Sequence, residues 1–301
     1  DMLTDSPSDF VRTKNDGSQH VYVLDAGVNK VFNADQFNLI GINFRTGSFQ
    51  MNASDSWGSP TVDQSFTVNS EVSGTVTGIT ENTVTDSSLS MRINQLARPN
   101  RPMYLRFTSG TANGLTYKIE SNDATKIKIT TATMTTDGAA SSDTFVVFVD
   151  RISTQVTSAS HRYVRLVIDA QQTADDFYKV GKFIFGLKLS MSKNFNSGFR
   201  LQIAPNINVN RSSRSGQRFT TKKGESRQSY RIEFTRKTSA FMKEMEEFME
   251  AIDWSNNPFI FIPDSDNIQD FILGRLVNPY NKQNVITDIF SMSSLVVEEE
   301  L

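Results

Sequence analysis

The sequence predicts a mainly β protein with a single helix near its C-terminal end. Three observations lead there: short runs that alternate apolar and polar residues, turn pairs punctuating a Thr/Ser-rich stretch, and helical periodicity in one place only. The expected architecture is a β-sandwich with a small barrel-like β module inserted in it, followed by an α+β part. Its expected bounds are 1–68 plus 150–187 for the sandwich, 69–149 for the insertion and 188–301 for the α+β part.

In the first zone Val21-Tyr22-Val23-Leu24-Asp25 is a β-rich run closed by Ala26-Gly27, and a second strand is expected over Gln36–Phe44. From about Asn69 the chain is poor in charge and rich in Thr, Ser and Gly. Strands are expected there at Gly74–Thr80, Met103–Thr108, Thr116–Glu120, Lys126–Thr130 and Thr144–Val149, separated by Ser-Gly, Asn-Gly, Asn-Asp and Asp-Gly turn pairs. Five short strands so punctuated suit a small barrel or sandwich; alternation within each run argues against a disordered stalk. Arg162–Asp169 and Phe177–Gly186 then read as closing strands of the first sheet, which makes the Thr-rich unit an insertion at a loop tip.

The last zone opens on strand Tyr230–Thr235. With Ser239 as N-cap, Phe241, Met242, Met245, Phe248, Met249 and Ile252 recur at three- and four-residue steps, an apolar helical stripe. The helix is expected to end near Asp253–Asn257, ahead of Pro258. Strands Phe259–Ile262, Phe271–Leu276 and Ser294–Val297 follow, so the helix is expected to pack on a small antiparallel sheet.

Composition narrows the chemistry. A 301-residue chain with 38% hydrophobic and 21% charged residues supports two or three packed domains. A net charge of −2 points to neither a general nucleic-acid binder nor a membrane-surface protein, so any electrostatic partner acts on a local patch. The absence of cysteine removes disulfides, thiol nucleophiles, thiolate zinc sites and iron–sulfur clusters, and it fits folding in a reducing cytoplasm. His20 and His161 are the only imidazoles, which excludes a His-rich metal site in one chain. No apolar run reaches the roughly 18–20 residues of a membrane-spanning helix. The sequence opens at Asp1 without a visible signal peptide, and a longer gene product is expected.

Candidate sites are weighed against plainer readings. Glu246 and Glu250 lie one helical turn apart but opposite the apolar stripe, where water prevents the pKa separation that acid–base catalysis needs. Asp264-Ser265-Asp266-Asn267 resembles part of a calcium loop but lacks its glycine turn and distal glutamate, and Asp270 does not complete it. Asp123, Asp175 and Asp176 are loop acids. No nucleophile elbow, phosphate loop or dinucleotide fingerprint is present, so the chain is expected not to be an enzyme and to carry no cofactor or metal. The strongest local feature is a basic arm at about 206–228. There Arg211, Arg214, Arg218, Lys222, Lys223 and Arg227 outnumber the acids, and Arg231, Arg236 and Lys237 follow. Phosphate contact with nucleic acid, a charged contact between subunits and a solvated loop all remain open. The subunit contact is preferred, with the acidic helix or a Glu298-Glu299-Glu300 tail of a neighbour as its counterpart. Trp57 suits stacking on a sugar ring, although a lone tryptophan more often anchors packing.

Leu3-Thr4-Asp5-Ser6-Pro7-Ser8, Val21–Gly27 and Leu39-Ile40-Gly41-Ile42-Asn43 together resemble the opening of a discoidin-like, galactose-binding-type jelly roll. Arg162–Leu166 and Tyr178–Phe183 resemble its closing strands. Followed by an α+β part, this is similar to structural tail proteins of tailed bacteriophages. Arg214–Arg218, Arg231–Phe234, Pro258–Asp264 and Leu273-Gly274-Arg275-Leu276 carry that likeness. Leu105–Gly110 and Tyr117–Ile119 are similar to small β modules decorating such proteins. The resemblance covers most of the chain through diffuse patterns. It implies a non-catalytic virion component of the tail tip, baseplate or distal tail ring, assembled in the host cytoplasm as a ring of copies beside neighbouring tail proteins. Alternatives are a glycan-binding adhesin on the host surface and a neck or capsid decoration protein. Membrane insertion is not expected, and nucleic acid is the disfavoured partner.

Overall fold

The computed structural model describes residues 11–14, 18–98, 101–171, 177–191, 200–204, 207–211, 218–222, 227–264, 266–278 and 280–300. It is mainly β, with several antiparallel sheets and one α-helix among the described residues. The chain divides into two units, Asp1–Lys188 and Leu189–Leu301.

Unit 1 begins with β1 (Val11–Lys14), β2 (His20–Asp25), β3 (Phe32–Ile40), β4 (Thr46–Asn52) and β5 (Val62–Thr67). β6 (Ser70–Thr75), β7 (Gly78–Ile79), β8 (Thr83–Thr85), β9 (Met103–Phe107), β10 (Thr116–Asn122), β11 (Lys126–Ile129) and β12 (Thr144–Val149) come next. β13 (Arg151–His161), β14 (Tyr163–Ile168), β15 (Phe177–Val180) and β16 (Lys182–Gly186) close the unit. The sheets run β2-β14-β4-β5, β13-β3-β16 and β1-β15, while β6 to β12 form a seven-stranded sheet of their own, ordered β6-β12-β9-β10-β11-β8-β7.

Side chains alternate across a strand, so one face of each sheet gathers the apolar set. Phe37 of β3 stacks on Phe49 of β4 with centroids 5.0 Å apart and planes 10° from parallel, and Phe183 of β16 meets Phe49 at 5.7 Å. The β13-β3-β16 and β2-β14-β4-β5 sheets therefore face each other across one core, joined by Leu39, Met51, Val164, Leu166 and Ile168. A second core, with Leu105, Phe107, Tyr117, Ile127, Phe145 and Val147, lies inside the seven-stranded sheet's unit. Tyr104 and Phe148 are cross-strand partners on β9 and β12 that point the other way, into the first core. Two insertion strands thus serve both cores, one with each face.

The strand expected over Gln36–Phe44 stops at Ile40, because Gly41 turns the backbone to a φ of +72°. The run Phe177–Gly186 is likewise two strands rather than one: β15 pairs with β1 and β16 with β3, with Gly181 between them. A Cβ on Gly41 would lie 3.2 Å from the Gly181 Cα, so the two backbones approach where side chains would keep them apart.

Unit 2 contains β17 (Arg200–Ala204), β18 (Ile207–Arg211), β19 (Arg218–Lys222), β20 (Arg227–Thr238), α1 (Ser239–Ala251), β21 (Phe259–Phe261), β22 (Ile272–Leu276), β23 (Lys282–Ile286) and β24 (Ile289–Glu299). Its main sheet is ordered β17-β20-β24-β22-β21, with β23 also on β24; β18 and β19 pair as a separate hairpin. Thr238, one residue before the expected Ser239, is the N-cap of α1 and accepts the Phe241 N–H at 3.4 Å. Phe241, Met242, Met245 and Met249 bury the apolar stripe against Tyr230, Ile232, Phe234, Leu295 and Val297. Left-handed φ values at Asp253, Trp254 and Ser255 end the helical course before Pro258.

Gly47 tests the sheet packing. A Cβ there would lie 2.3 Å from the Val167 carbonyl oxygen and 2.7 Å from Phe66 Cζ, one of them immovable backbone. Gly47→Ala is expected to cost about 2–3 kcal/mol of unfolding free energy in urea titrations. A loss under about 0.5 kcal/mol, the range of a neutral surface change, would contradict this packing.

Candidate interaction surfaces

The basic arm and the acidic end of the sequence meet within unit 2, because β20 and β24 are neighbouring strands. Their register sets Ser229 opposite Glu298 and Tyr230 opposite Val297. Arg227 Nη1 reaches Glu298 Oε1 at 3.3 Å, with both side chains more than a third exposed. Arg275 Nη2 holds Glu300 Oε1 at 2.6 Å. Glu299 is buried and accepts the Gln228 N–H at 3.3 Å. Glu298 and Glu299 thus end a strand and Glu300 follows it; the three do not form a free tail, and each is engaged inside its own chain. An exposed pair such as Arg227–Glu298 contributes about 0–1 kcal/mol, so it sets local geometry more than stability.

The rest of the arm lies further out along the chain. β18 and β19 run antiparallel from Ile207↔Lys222 to Arg211↔Arg218. Among the described residues neither strand pairs with any other. Arg211 and Arg218 are therefore opposite one another in the backbone register. Arg214 and Lys223 lie outside the described residues.

On unit 1, Trp57 sits in the β4–β5 loop over the outer face of the four-stranded sheet. The Arg165 guanidinium lies 4.5 Å from its ring centroid, and Tyr163 meets it edge-on at 6.5 Å. Arg165, Gln50 and Asp63 occupy adjacent positions across β14, β4 and β5. Arg165 Nε donates to Gln50 Oε1 at 2.7 Å, and Gln50 Nε2 donates to Asp63 Oδ1 at 2.9 Å. One side of the Trp57 indole is thus taken up by a cation–π contact. Just before β14, Arg162 forms a bidentate pair with Asp25, both bonds 2.7 Å. These partnerships become visible only once the register of β2, β14, β4 and β5 is known.

Most of the remaining candidates have structural partners. His20 packs edge-on against Tyr178 at 5.1 Å, and His161 ends β13 opposite Phe32. On α1, Glu246 pairs with Lys282, Lys243 lies 3.8 Å from Glu247, and Glu250 is exposed. The Asp264 carboxylate accepts the Asp266 N–H at 3.0 Å within a surface turn, and Asp123 caps another through the N–H groups of Thr125 and Lys126. Among the described residues no group of three or more acidic, His or Cys side chains is placed to hold a metal ion. No helix there is long and apolar enough to cross a membrane. Asp175 and Asp176 lie outside the described residues.

The Arg162–Asp25 pair gives a pH test. The two guanidinium hydrogen bonds, aided by the Gly27 N–H, hold the Asp25 carboxyl at about 2, below its ordinary 3.8. A lowered carboxyl pKa favours the folded state above the unfolded pKa and loses that contribution as pH falls through the folded one. Carboxyl NMR is expected to show Asp25 titrating near the lower value. Arg162→Gln is expected to move the midpoint up towards the ordinary one; an unmoved midpoint would contradict the pairing.

No protein-family model, curated protein or solved structure matches the chain.

Proposed function

We propose that this chain is a non-catalytic structural subunit of a bacteriophage tail, at the tail tip, baseplate or distal tail ring. Its first unit is read as a discoidin-like jelly roll carrying a small barrel-like insertion, and its second as the assembly domain. The observation that carries the assembly role is the β18–β19 hairpin, which among the described residues pairs with no other strand and whose register sets Arg211 opposite Arg218. The surrounding sequence sharpens this: from Phe177 to Gly224 there is no Asp or Glu, against ten Lys and Arg. A basic segment of this composition gains most from an acidic surface on another copy.

The receiving surface is read as the outer face of α1, where Glu250 is exposed and Glu247, also exposed, makes only a loose 3.8 Å contact with Lys243. Glu298, Glu299 and Glu300 are less suited, since all three already have partners in their own chain. Repeated head-to-tail, one arm on the next helix closes a ring when the rotation permits. This contact also distinguishes a subunit role from an adhesin role, in which Trp57 would carry the binding.

The test is the mass of the native particle at low and high salt, for the parent chain and for Arg211, Arg214 and Arg218 replaced together by Gln. A defined oligomer that loosens as salt screens exposed charges is expected, with the triple variant shifted at least tenfold towards monomer at low salt. An oligomer indifferent to salt and to the triple substitution would overturn the electrostatic register. Saturable, sugar-specific binding of the full chain on a glycan array, lost in Trp57→Ala, would favour the adhesin instead.

A further inference from the structure

Where the insertion meets the rest of unit 1, two arginines converge without an acid. Arg45 lies between β3 and β4, and Arg106 on β9 of the insertion. Gln171 Oε1 accepts both the Arg45 backbone N–H at 2.9 Å and Arg106 Nη1 at 3.2 Å. The Arg45 guanidinium is held by the Val68 carbonyl and the Ser70 hydroxyl, both at 3.1 Å, and Arg106 Nη1 also contacts Thr116 Oγ1 at 3.4 Å. Gln171 is itself fixed, donating from Nε2 to the Thr46 carbonyl at 2.8 Å and to the backbone carbonyl of Asp169 at 3.3 Å, while its main chain pairs with the Tyr178 hydroxyl.

Every acceptor here is neutral. Neither arginine takes part in any ion pair among the described residues, and Asp169 contributes its carbonyl rather than its carboxylate. Burial and the neighbouring charge of Arg45 both disfavour the charged form of Arg106 and push its pKa down. Two half-buried like charges raise the energy of the folded state unless something negative is shared between them. Arginine forks suit one ligand class above others, the oxyanion, whose oxygens accept parallel N–H bonds. The neutral acceptors hold Arg45 through Nε and Nη2 and Arg106 through Nη1, leaving Arg45 Nη1 and Arg106 Nη2 for such a ligand.

We propose that Arg45 and Arg106, steadied by Gln171, form a binding site for a small oxyanion, phosphate or carboxylate in class, at the seam of insertion and host. Arg45 and Ser70 belong to the rim, since Ser70 is exposed, while Thr116 and Gln171 form the buried floor. Because Arg106 belongs to the insertion and Arg45 to the host, a bound anion ties one to the other. The site does not depend on the chain's being a tail protein.

Calorimetric titration of the full chain with inorganic phosphate, in chloride buffer at constant ionic strength, tests the site. Saturable binding to one site is expected. Arg106→Gln and Arg45→Gln are each expected to weaken it at least tenfold, while Arg92→Gln, an exposed arginine of the same insertion, leaves it unchanged. If Arg106→Gln disturbs folding by circular dichroism, the rim substitution Arg45→Gln decides. A parallel titration with acetate separates the sources: tighter phosphate binding assigns a phosphate ligand, and tighter acetate binding assigns a carboxylate. Absence of saturation with either anion, or equal binding by the parent and Arg45→Gln, would overturn the site.

Discussion

The spacing between the two facing sheets of unit 1 is set by the stack of Phe37 on Phe49, and much of that unit follows from it. Phe37 is on the central strand of the three-stranded sheet and Phe49 on an inner strand of the four-stranded one. Phe183 and Phe66 extend the stack along Phe49, so three rings from three strands converge on one side chain. Apolar packing of this size fixes strand register, because a one-residue slip would turn the whole set out to water. On the far face of β3 the same register aligns Asn38 with Ser153, and Gln36, Ser153 and Asn38 form a buried hydrogen-bond chain. Polar residues in the middle of β3 therefore reflect burial on both faces, not an exposed edge.

The insertion is held by this framework rather than tethered to it. β12 and β13 are separated by Asp150 alone, whose carbonyl accepts the Ile42 N–H at 2.9 Å and whose N–H donates to Pro102 O at 3.1 Å. Its carboxylate is buried, 3.3 Å from Arg151 Nε. Burial pushes this carboxyl up, against the pull of Arg151, Lys179 and Arg101. A buried ion pair adds little net stability, but removing one partner leaves an uncompensated charge, which suits it to fixing a geometry. Together with Tyr104 and Phe148 entering the host core, it makes the junction part of the fold.

Legibility in the sequence followed solvent exposure. β2, β10, β11 and β14 were readable because burial alternates along much of each, whereas β9 and β12, covered on both faces, were readable from β-branched and aromatic runs between turn pairs; Thr144–Val149 appears with its expected bounds. β4 was not, since six of its seven residues are buried and no alternation survives. β13 was missed for a different reason: its Thr/Ser-rich second half looks like a loop until its pairing with β3 is known. The break at Gly181 was hidden because alternation continues through it, although the two halves join different sheets. For α1 the stripe of Phe and Met sufficed, while the choice between Thr238 and Ser239 as N-cap depends on backbone angles that composition does not encode.

The interaction surfaces were less legible, for a reason that also bears on how the chain assembles. A sequence shows which charges are abundant, not which are spent. The basic segment and the C-terminal glutamates looked like counterparts on different subunits, yet strand pairing of β20 with β24 brings Arg227 to Glu298 in one chain. Pairing of β22 with β24 places Arg275 at the same end of the sheet, where it engages Glu300. Folding thus uses up the charges nearest the sheet. The β18–β19 hairpin carries no acid in its sequence, and its register sets Arg211 across from Arg218. The same logic applies at Arg45 and Arg106, where the neighbours are neutral carbonyl, hydroxyl and amide oxygens. Positive charge that a fold positions but does not neutralise marks where an acidic partner gains most, and only the paired structure shows which charges those are.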